Sequence, residues 1–380
     1  MIVLKEKKDC CGCHACLSVC AHKAITMSAD HEGFLYPMVD KAACTDCGLC
    51  EQVCPVIHQA SPSRPLKVYA AKSKDEAVRQ ESSSGGIFTL LAEAVIREGG
   101  VAFGAKFDEA WNVLHASAEN PDEMALFRGS KYVQSVIGDT YREAKNYLKQ
   151  GRKVLFSGTP CQIAGLKRYL RKEYDNLFTI DVVCHGVPSP IVWQRYLDEM
   201  RVKGPIKEIA FRDKTRGWAQ YAFRIRTGEQ TLLLPPSENP FMRGFLTDLY
   251  LRPSCHDCPA RSSKSGSDIT LGDFWGIQAV HPDMEDNKGC SAIMIHSTKG
   301  QALYDSIEKV DVESSYEHLL PENPSLEHNP KHTKYARRFW KKFDKQGLYC
   351  VFPICKQKAS SSLLLQYLKI KRALLGLLKR

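Results

Sequence analysis

No apolar run in the sequence approaches the roughly 20 residues that span a bilayer. Its opening, MIVLKEKKDC, has no apolar stretch long enough for a secretory signal. A membrane-spanning or exported protein is therefore not expected, and the cytoplasm is the default compartment. No G-x-G-x-x-G stands at a strand-to-helix turn, and G-x-x-x-x-G-K-[ST] is absent, so a Rossmann nicotinamide site and a P-loop are unsupported. Acids are scarce at one end only. From Lys331 to Arg380 there are 14 Lys or Arg against one acid, Asp344, whereas residues 1–330 carry 39 basic and 42 acidic side chains. The net charge of +10 thus belongs to the C-terminal end. A nearly neutral body argues against nucleic-acid binding across the fold, and no nucleic-acid partner is expected.

Cysteine is what the chain has in excess: 16 in 380 residues, nine of them within the first 54. In a short exported chain that density would read as disulfides; here the regular spacing favours metal ligation. Cys10, Cys13, Cys16 and Cys20 form C-x2-C-x2-C-x3-C, and Cys44, Cys47, Cys50 and Cys54 repeat it, followed by Pro55. Each run matches the bacterial ferredoxin signature for a [4Fe–4S] cluster. Three closely spaced thiolates wrap one cluster on a tight loop, and the fourth leads into a helix and reaches the other cluster. That resemblance implies one cluster on Cys10, Cys13, Cys16 and Cys54 and a second on Cys44, Cys47, Cys50 and Cys20. A pair of structural zinc sites is the competing reading, although zinc usually takes two separated C-x2-C pairs. Cys11 is out of register and reads as a spare thiol; His14, His22 and His31 read as solvated.

Beyond a Pro- and Ser-containing linker the pattern becomes α/β. Lys67–Ala71 reads as a strand, and Ile87, Leu90, Leu91, Ala94 and Val95 recur at helical spacing after Ser82-Ser83-Ser84-Gly85-Gly86. A Ser/Gly loop opening a helix suits a phosphate, or is a plain helix cap. Lys153–Phe156 and Thr179–Val183 read as strands, leading to Cys161 and to Cys184-His185-Gly186. Strand ends are where α/β sheets place their sites. With Cys255 and Cys258 these cysteines supply four further thiols, open to an iron–sulfur, zinc or dithiol reading.

The segments ESSSGGIFTLLAEAVIREGGVAFGA, FRGSKYVQS, FSGTPCQIAGLK, DVVCHGVPSP, FRDKTRGW and DITLGDFWG occur in this order. Together they resemble the family of beta subunits of coenzyme F420-reducing hydrogenases and dehydrogenases over roughly residues 66–320. The resemblance implies an iron–sulfur flavoprotein with FAD and a third [4Fe–4S] cluster on Cys161, Cys184, Cys255 and Cys258. It makes Ser82, Ser83, Ser84, Gly85 and Gly86, with Gly129, Ser130, Lys131 and Tyr132, the candidate FAD contacts. Lys131 would offset pyrophosphate or reduced-flavin charge, or else be a solvated lysine. His185 is a candidate proton donor or a turn residue. Arg212, Lys214 and Arg216 would attract an acidic substrate or be exposed charges, and Asp273 would fix a loop or make a turn. Cys290, Cys350 and Cys355 read as ordinary thiols.

The expected architecture is a small ferredoxin-like two-cluster domain (1–58), a linker (59–66), a larger mixed α/β flavin- and cluster-binding domain (67–325) and a basic extension (326–380). In that extension the leucines of 360–380 pattern an amphipathic helix, suited to its own body, a partner or peripheral membrane contact. The expected function is oxidoreduction: single electrons pass through clusters to or from FAD for a two-electron step on a small molecule, F420 or another acceptor. The redox partner would be ferredoxin or another oxidoreductase subunit. A non-catalytic electron-transfer subunit is the alternative, and a zinc-stabilised interaction protein a third reading.

Overall fold

The computed structural model describes residues 1–228 and 230–354; Cys355 and the leucine-rich helix expected at 360–380 lie outside the described residues. The first cysteine run leads into a short helix, Ala15–Val19, and the second into Leu49–Gln52. Between them β1 (Ile25–Ala29) and β2 (Leu35–Val39) form an antiparallel pair. His14 and Gly48 occupy equivalent places, each following the second cysteine of its run and each left-handed at a helix start, with φ of 62° and 74°. The sequence repeat is thus also a backbone repeat, paid for at His14 by a conformation that glycine adopts freely.

The body carries β3 (Lys67–Lys72), β4 (Val101–Phe107), β5 (Val113–Ala118), β6 (Val154–Gly158), β7 (Leu177–Val182), β8 (Ile206–Asp213), β9 (Ala222–Thr227), β10 (Gln230–Leu234), β11 (Ile269–Asp273), β12 (Ser291–Ile295) and β13 (Val310–Ser314). Eight of them form one mixed sheet in the order β13-β3-β12-β11-β7-β6-β4-β5. Its centre, β11-β7-β6-β4, is parallel, and its flanks are antiparallel. Central strands such as Val154-Leu155-Phe156 and Ser291–Ile295 are buried along their length, as a sheet covered on both faces requires. A separate antiparallel sheet has the order β10-β9-β8.

The helix at Ile87–Arg97 buries Ile87, Leu91, Ala94 and Val95 against the large sheet, at the spacing read from the sequence. The helix at Pro160–Leu170 starts with a Thr159/Gln162 capping box and Pro160 in its first turn. Cys11, Cys13, Ala15 and Val53 share a hydrophobic cluster with Val101, Phe103, Tyr141 and Phe156, so the cysteine module is seated in the body's core. Gly165 makes that seat: a Cβ there would lie 2.8 Å from Cys13 Cβ. Residues 336–354 also enter a body core, where Phe339, Phe343, Val351 and Ile354 meet Trp193, Tyr250 and Phe241. Among the described residues no helix is long and apolar enough to cross a membrane.

His115 supplies a pH test of this packing. Its ring is 5% exposed, lies 2.7 Å from Ser135 Oγ and 2.9 Å from the Ser157 carbonyl, and stacks on Phe156. Burial lowers its pKa to about 4. The unfolded chain takes up that proton near pH 6.5, so stability is lost as pH falls from there toward 4. The loss approaches about 3 kcal/mol at ~1.4 kcal/mol per unit. His115→Gln should flatten the decline of melting temperature between pH 6.5 and 5; an unchanged slope would show that other groups cause it.

Candidate metal centres

Three cavities gather thirteen of the cysteines, twelve of them as three quartets. Cys20, Cys44, Cys47 and Cys50 line the outermost, where Cys47 is exposed. Cys10, Cys13, Cys16 and Cys54 line a second. Cys161, Cys184, Cys255 and Cys258 line the third, at the C-terminal ends of the adjacent parallel strands β6 and β7. Among the described residues no group of three or more His, Cys, Asp or Glu side chains is placed to hold a single metal ion. Several sulfurs already accept N–H groups, a feature that tunes iron–sulfur ligands. Ile2 N donates to Cys50 (3.2 Å), Asp46 N to Cys44 (3.4 Å) and Val187 N to Cys255 (3.4 Å). The soft donor set, its grouping by fours and these N–H···S contacts fit four-iron clusters.

Burial drives the Cys184 thiol far up and the Cys16 and Cys255 thiols to about 12. The Cys161 thiol also rises strongly, first through the neighbouring Cys11 thiol and then through burial. Such thiols are neutral until metal binds, and loading releases protons.

Cys11 is not a peripheral thiol. It is 4% exposed, lines both the second and the third cavity, and its thiol interacts electrostatically with those of Cys13 and Cys161. His14 is likewise buried, at 4% exposure, which corrects the expectation of a solvated ring; His22 and His31 are exposed. Cys290 and Cys350 are buried. Sequence reading passed over Arg252 and Arg261. Arg261 is 8% exposed and lines the third cavity, bonded to Asn329 Oδ1 and to the Ser325 and His185 carbonyls. Only the neighbouring Cys255 and Cys258 in RPSCHDCPAR marked either arginine out.

The two glycine- and serine-containing segments meet: Ser130 N donates to Ser83 Oγ at 2.6 Å. Ser84 Oγ donates to the Cys290 carbonyl and Gly85 N to Ser291 Oγ. Gly86 starts the following helix at φ 86° with no side-chain cap, and Thr89 Oγ1 in its first turn is buried without a partner. Arg79 clamps the loop from behind, bonding both Asp286 oxygens and the Gly289 carbonyl. Lys214 donates to the Arg79, Ser84 and Lys288 carbonyls. Lys131 donates to the carbonyls of Phe127, Arg128 and Gly129 and so closes its own turn, while burial lowers its pKa to about 7.

Arg212 and Lys214 are buried, not exposed charges. Arg212 pairs with Asp273 at 2.7 Å, donates to Tyr132 Oη and stacks 4.0 Å from the Tyr221 ring. Trp218, stacked on Trp275 at 4.4 Å, donates to the same Asp273. The pair fastens β8 of the small sheet to β11 of the large one. Beside it opens a cleft of about 580 Å³ with Arg216, Tyr221, Ser237 and Arg243 on its walls. His185 lies 2.7 Å from Asp248 Oδ1 and packs edge-on against Phe245.

Residues 68–139 match the N-terminal part, and residues 151–315 the C-terminal part, of the coenzyme F420 hydrogenase/dehydrogenase beta subunit. The chain belongs to that family. Residues 9–57 match a 4Fe-4S dicluster domain, so the N-terminal module is an iron–sulfur one. The chain is 25% identical over 317 residues to a subunit of the F(420)H(2) dehydrogenase of Methanosarcina mazei, covering 78% of this chain and 82% of that protein. It is 25% identical over 198 residues to the coenzyme F420-dependent sulfite reductase of Methanocaldococcus jannaschii, covering 50% of this chain but only 29% of that protein. A chain of the F420-reducing [NiFe] hydrogenase complex from Methanosarcina barkeri superimposes with a TM-score of 0.46 at 18% identity, over 68% of this chain and 85% of that one.

Proposed function

We propose that the protein is an iron–sulfur flavoprotein oxidoreductase subunit that passes single electrons between a redox partner and FAD, for a two-electron step on a small molecule. The observation that carries this reading is the succession of three cysteine quartets from the exposed Cys47 inward, with Cys11 between the second and third. Cys20, Cys44, Cys47 and Cys50 would hold the outer cluster; Cys10, Cys13, Cys16 and Cys54 the next; and Cys161, Cys184, Cys255 and Cys258 the innermost. The clusters would supply one-electron transfer and FAD the exchange between one- and two-electron chemistry.

Toward FAD, the joined Ser82–Gly86 and Gly129–Tyr132 segments would present the uncapped helix start at Ile87 to a pyrophosphate. The Arg212–Asp273 pair would hold Tyr132 and Tyr221 in place, and Arg216 and Arg243 would draw an anionic substrate into the neighbouring cleft. The relatives' names make coenzyme F420 the first substrate to try. We take 1–58 as the cluster module, 59–66 as its connection and 67–325 as the body, with the basic end continuing from 326. Cytoplasmic residence, with peripheral membrane contact through that end, completes the reading.

A non-catalytic subunit serving a partner enzyme is the second reading, favoured by the relative that is itself named as a subunit. Anaerobically purified protein should contain about twelve irons, matching sulfide and one FAD, and should reduce or oxidise a small acceptor without a partner. Full iron without flavin or partner-free turnover would select the second reading. Zinc without sulfide would defeat both.

A further inference from the structure

Arg252 is fully buried, with 0% exposure, at the junction of module and body. Its guanidinium donates to the Cys10 carbonyl (2.8 Å), the Leu35 carbonyl (2.8 Å), Gln134 Oε1 (3.0 Å) and Cys10 Sγ (3.5 Å). It lies over the rings of Phe34 and Tyr36, 5.3 and 4.6 Å from their centroids. Gly12 must be glycine to pass it: a Cβ there would come within 2.8 Å of Arg252 Nη1, and φ is 71°. All four hydrogen-bond acceptors are neutral oxygens or sulfur, with no carboxylate among them.

A buried guanidinium without a counter-anion is strongly unfavourable, because burial removes the water that solvates it. The ring faces offset part of this. Negative charge is supplied if Cys10 and its three companions are thiolates on a cluster, which is anionic overall and becomes more so on reduction. Cys10 is the ligand the guanidinium touches, while Cys161 and Cys255 feel it at longer range. A buried cation donating to a ligand sulfur stabilises the reduced form more than the oxidised form.

We propose that Arg252 is a positioning residue that raises the reduction potential of the cluster on Cys10, Cys13, Cys16 and Cys54, and so sets the middle step of the electron path. This rests on the three-cluster reading above. The same side chain joins the Cys10 loop and Leu35 of the module to the segment carrying Cys255 and Cys258. Its place therefore couples the potential of the middle cluster to the docking of the module.

The test is an EPR-monitored redox titration of the full chain, anaerobic, as wild type, Arg252→Gln, Arg252→Met and Arg252→Lys. In the neutral variants one of three centres should move most, to lower potential by at least a tenfold change in its oxidised-to-reduced ratio at fixed poise, about 59 mV. The outer centre serves as the internal reference, the innermost, whose Cys161 and Cys255 feel Arg252 at longer range, should move less, and lysine should restore most of the shift. A neutral variant with full iron and three unmoved centres overturns the proposal. Loss of the cluster in both neutral variants, with retention in the lysine variant, would make Arg252 a docking residue only and also overturns it. Iron and sulfide in the wild type are read first: fewer than about twelve irons removes the three-cluster reading itself, a failure distinct from an unmoved potential.

Discussion

Cys47→Ser and Cys258→Ser should each lose about four irons per chain yet fail differently. Cys47 is the exposed cysteine of the outermost quartet, whereas Cys258 lies on the innermost, at the ends of the parallel strands. With Cys47→Ser, flavin reduction driven by ferredoxin should fall to background while the proposed FAD stays bound, because the cavity that Cys47 lines includes none of Ser82–Gly86. With Cys258→Ser, the N-terminal clusters should still accept electrons from the carrier, but the flavin should remain oxidised. Rapid-mixing absorbance at the cluster and flavin bands separates the two. Full ferredoxin-driven flavin reduction in iron-depleted Cys47→Ser protein would take the outer cluster out of the relay.

Arg79→Met should destabilise the protein by on the order of 3 kcal/mol and loosen FAD. The side chain is 2% exposed, forks onto both Asp286 oxygens and bonds the Gly289 carbonyl. Its loss leaves Asp286 with Lys72 as its remaining salt-bridge partner, and leaves the Gly289 carbonyl without the guanidinium. Burial pushes the Asp286 carboxyl up, but its hydrogen bonds, led by that from Arg79, outweigh burial and hold the pKa well below the usual range. Stability should therefore fall as pH drops below about 4, where the unfolded chain takes up the proton that native Asp286 refuses, and protonation of the native carboxyl at still lower pH should act as the mutation does at neutral pH. A lowered melting point with flavin retained would confine Arg79 to the scaffold. An unchanged melting point would show that the loop is held by Lys214 alone.

Local order was readable in the one-dimensional pattern. Each N-terminal cysteine run lies within eleven residues, so its ligands reach one loop whatever the rest of the chain does. The helix at Ile87–Arg97 and the strand at Val154–Gly158 follow from apolar spacing and from an unbroken buried run. Lys131 shows the limit of such reading: a lone lysine in a glycine turn looks solvated or anion-binding, and only its three carbonyl partners decide where the ammonium goes.

The sequence by itself determined the two ferredoxin-type runs, the alternation of strand and helix, and the family, because each depends on residues close together along the chain. Tertiary structure alone decided that Cys161 and Cys184 follow neighbouring parallel strands, that Cys11 stands between two quartets, and that Arg252 is buried against Cys10 across 242 positions. It also buried Arg212 against Asp273, turning an apparently exposed basic run into a bolt between two sheets. Spacing fixes which thiols share a loop. Which loops share a cavity, and which cation is left there without water, depends on strand order and on how the module docks; neither has a periodicity to read.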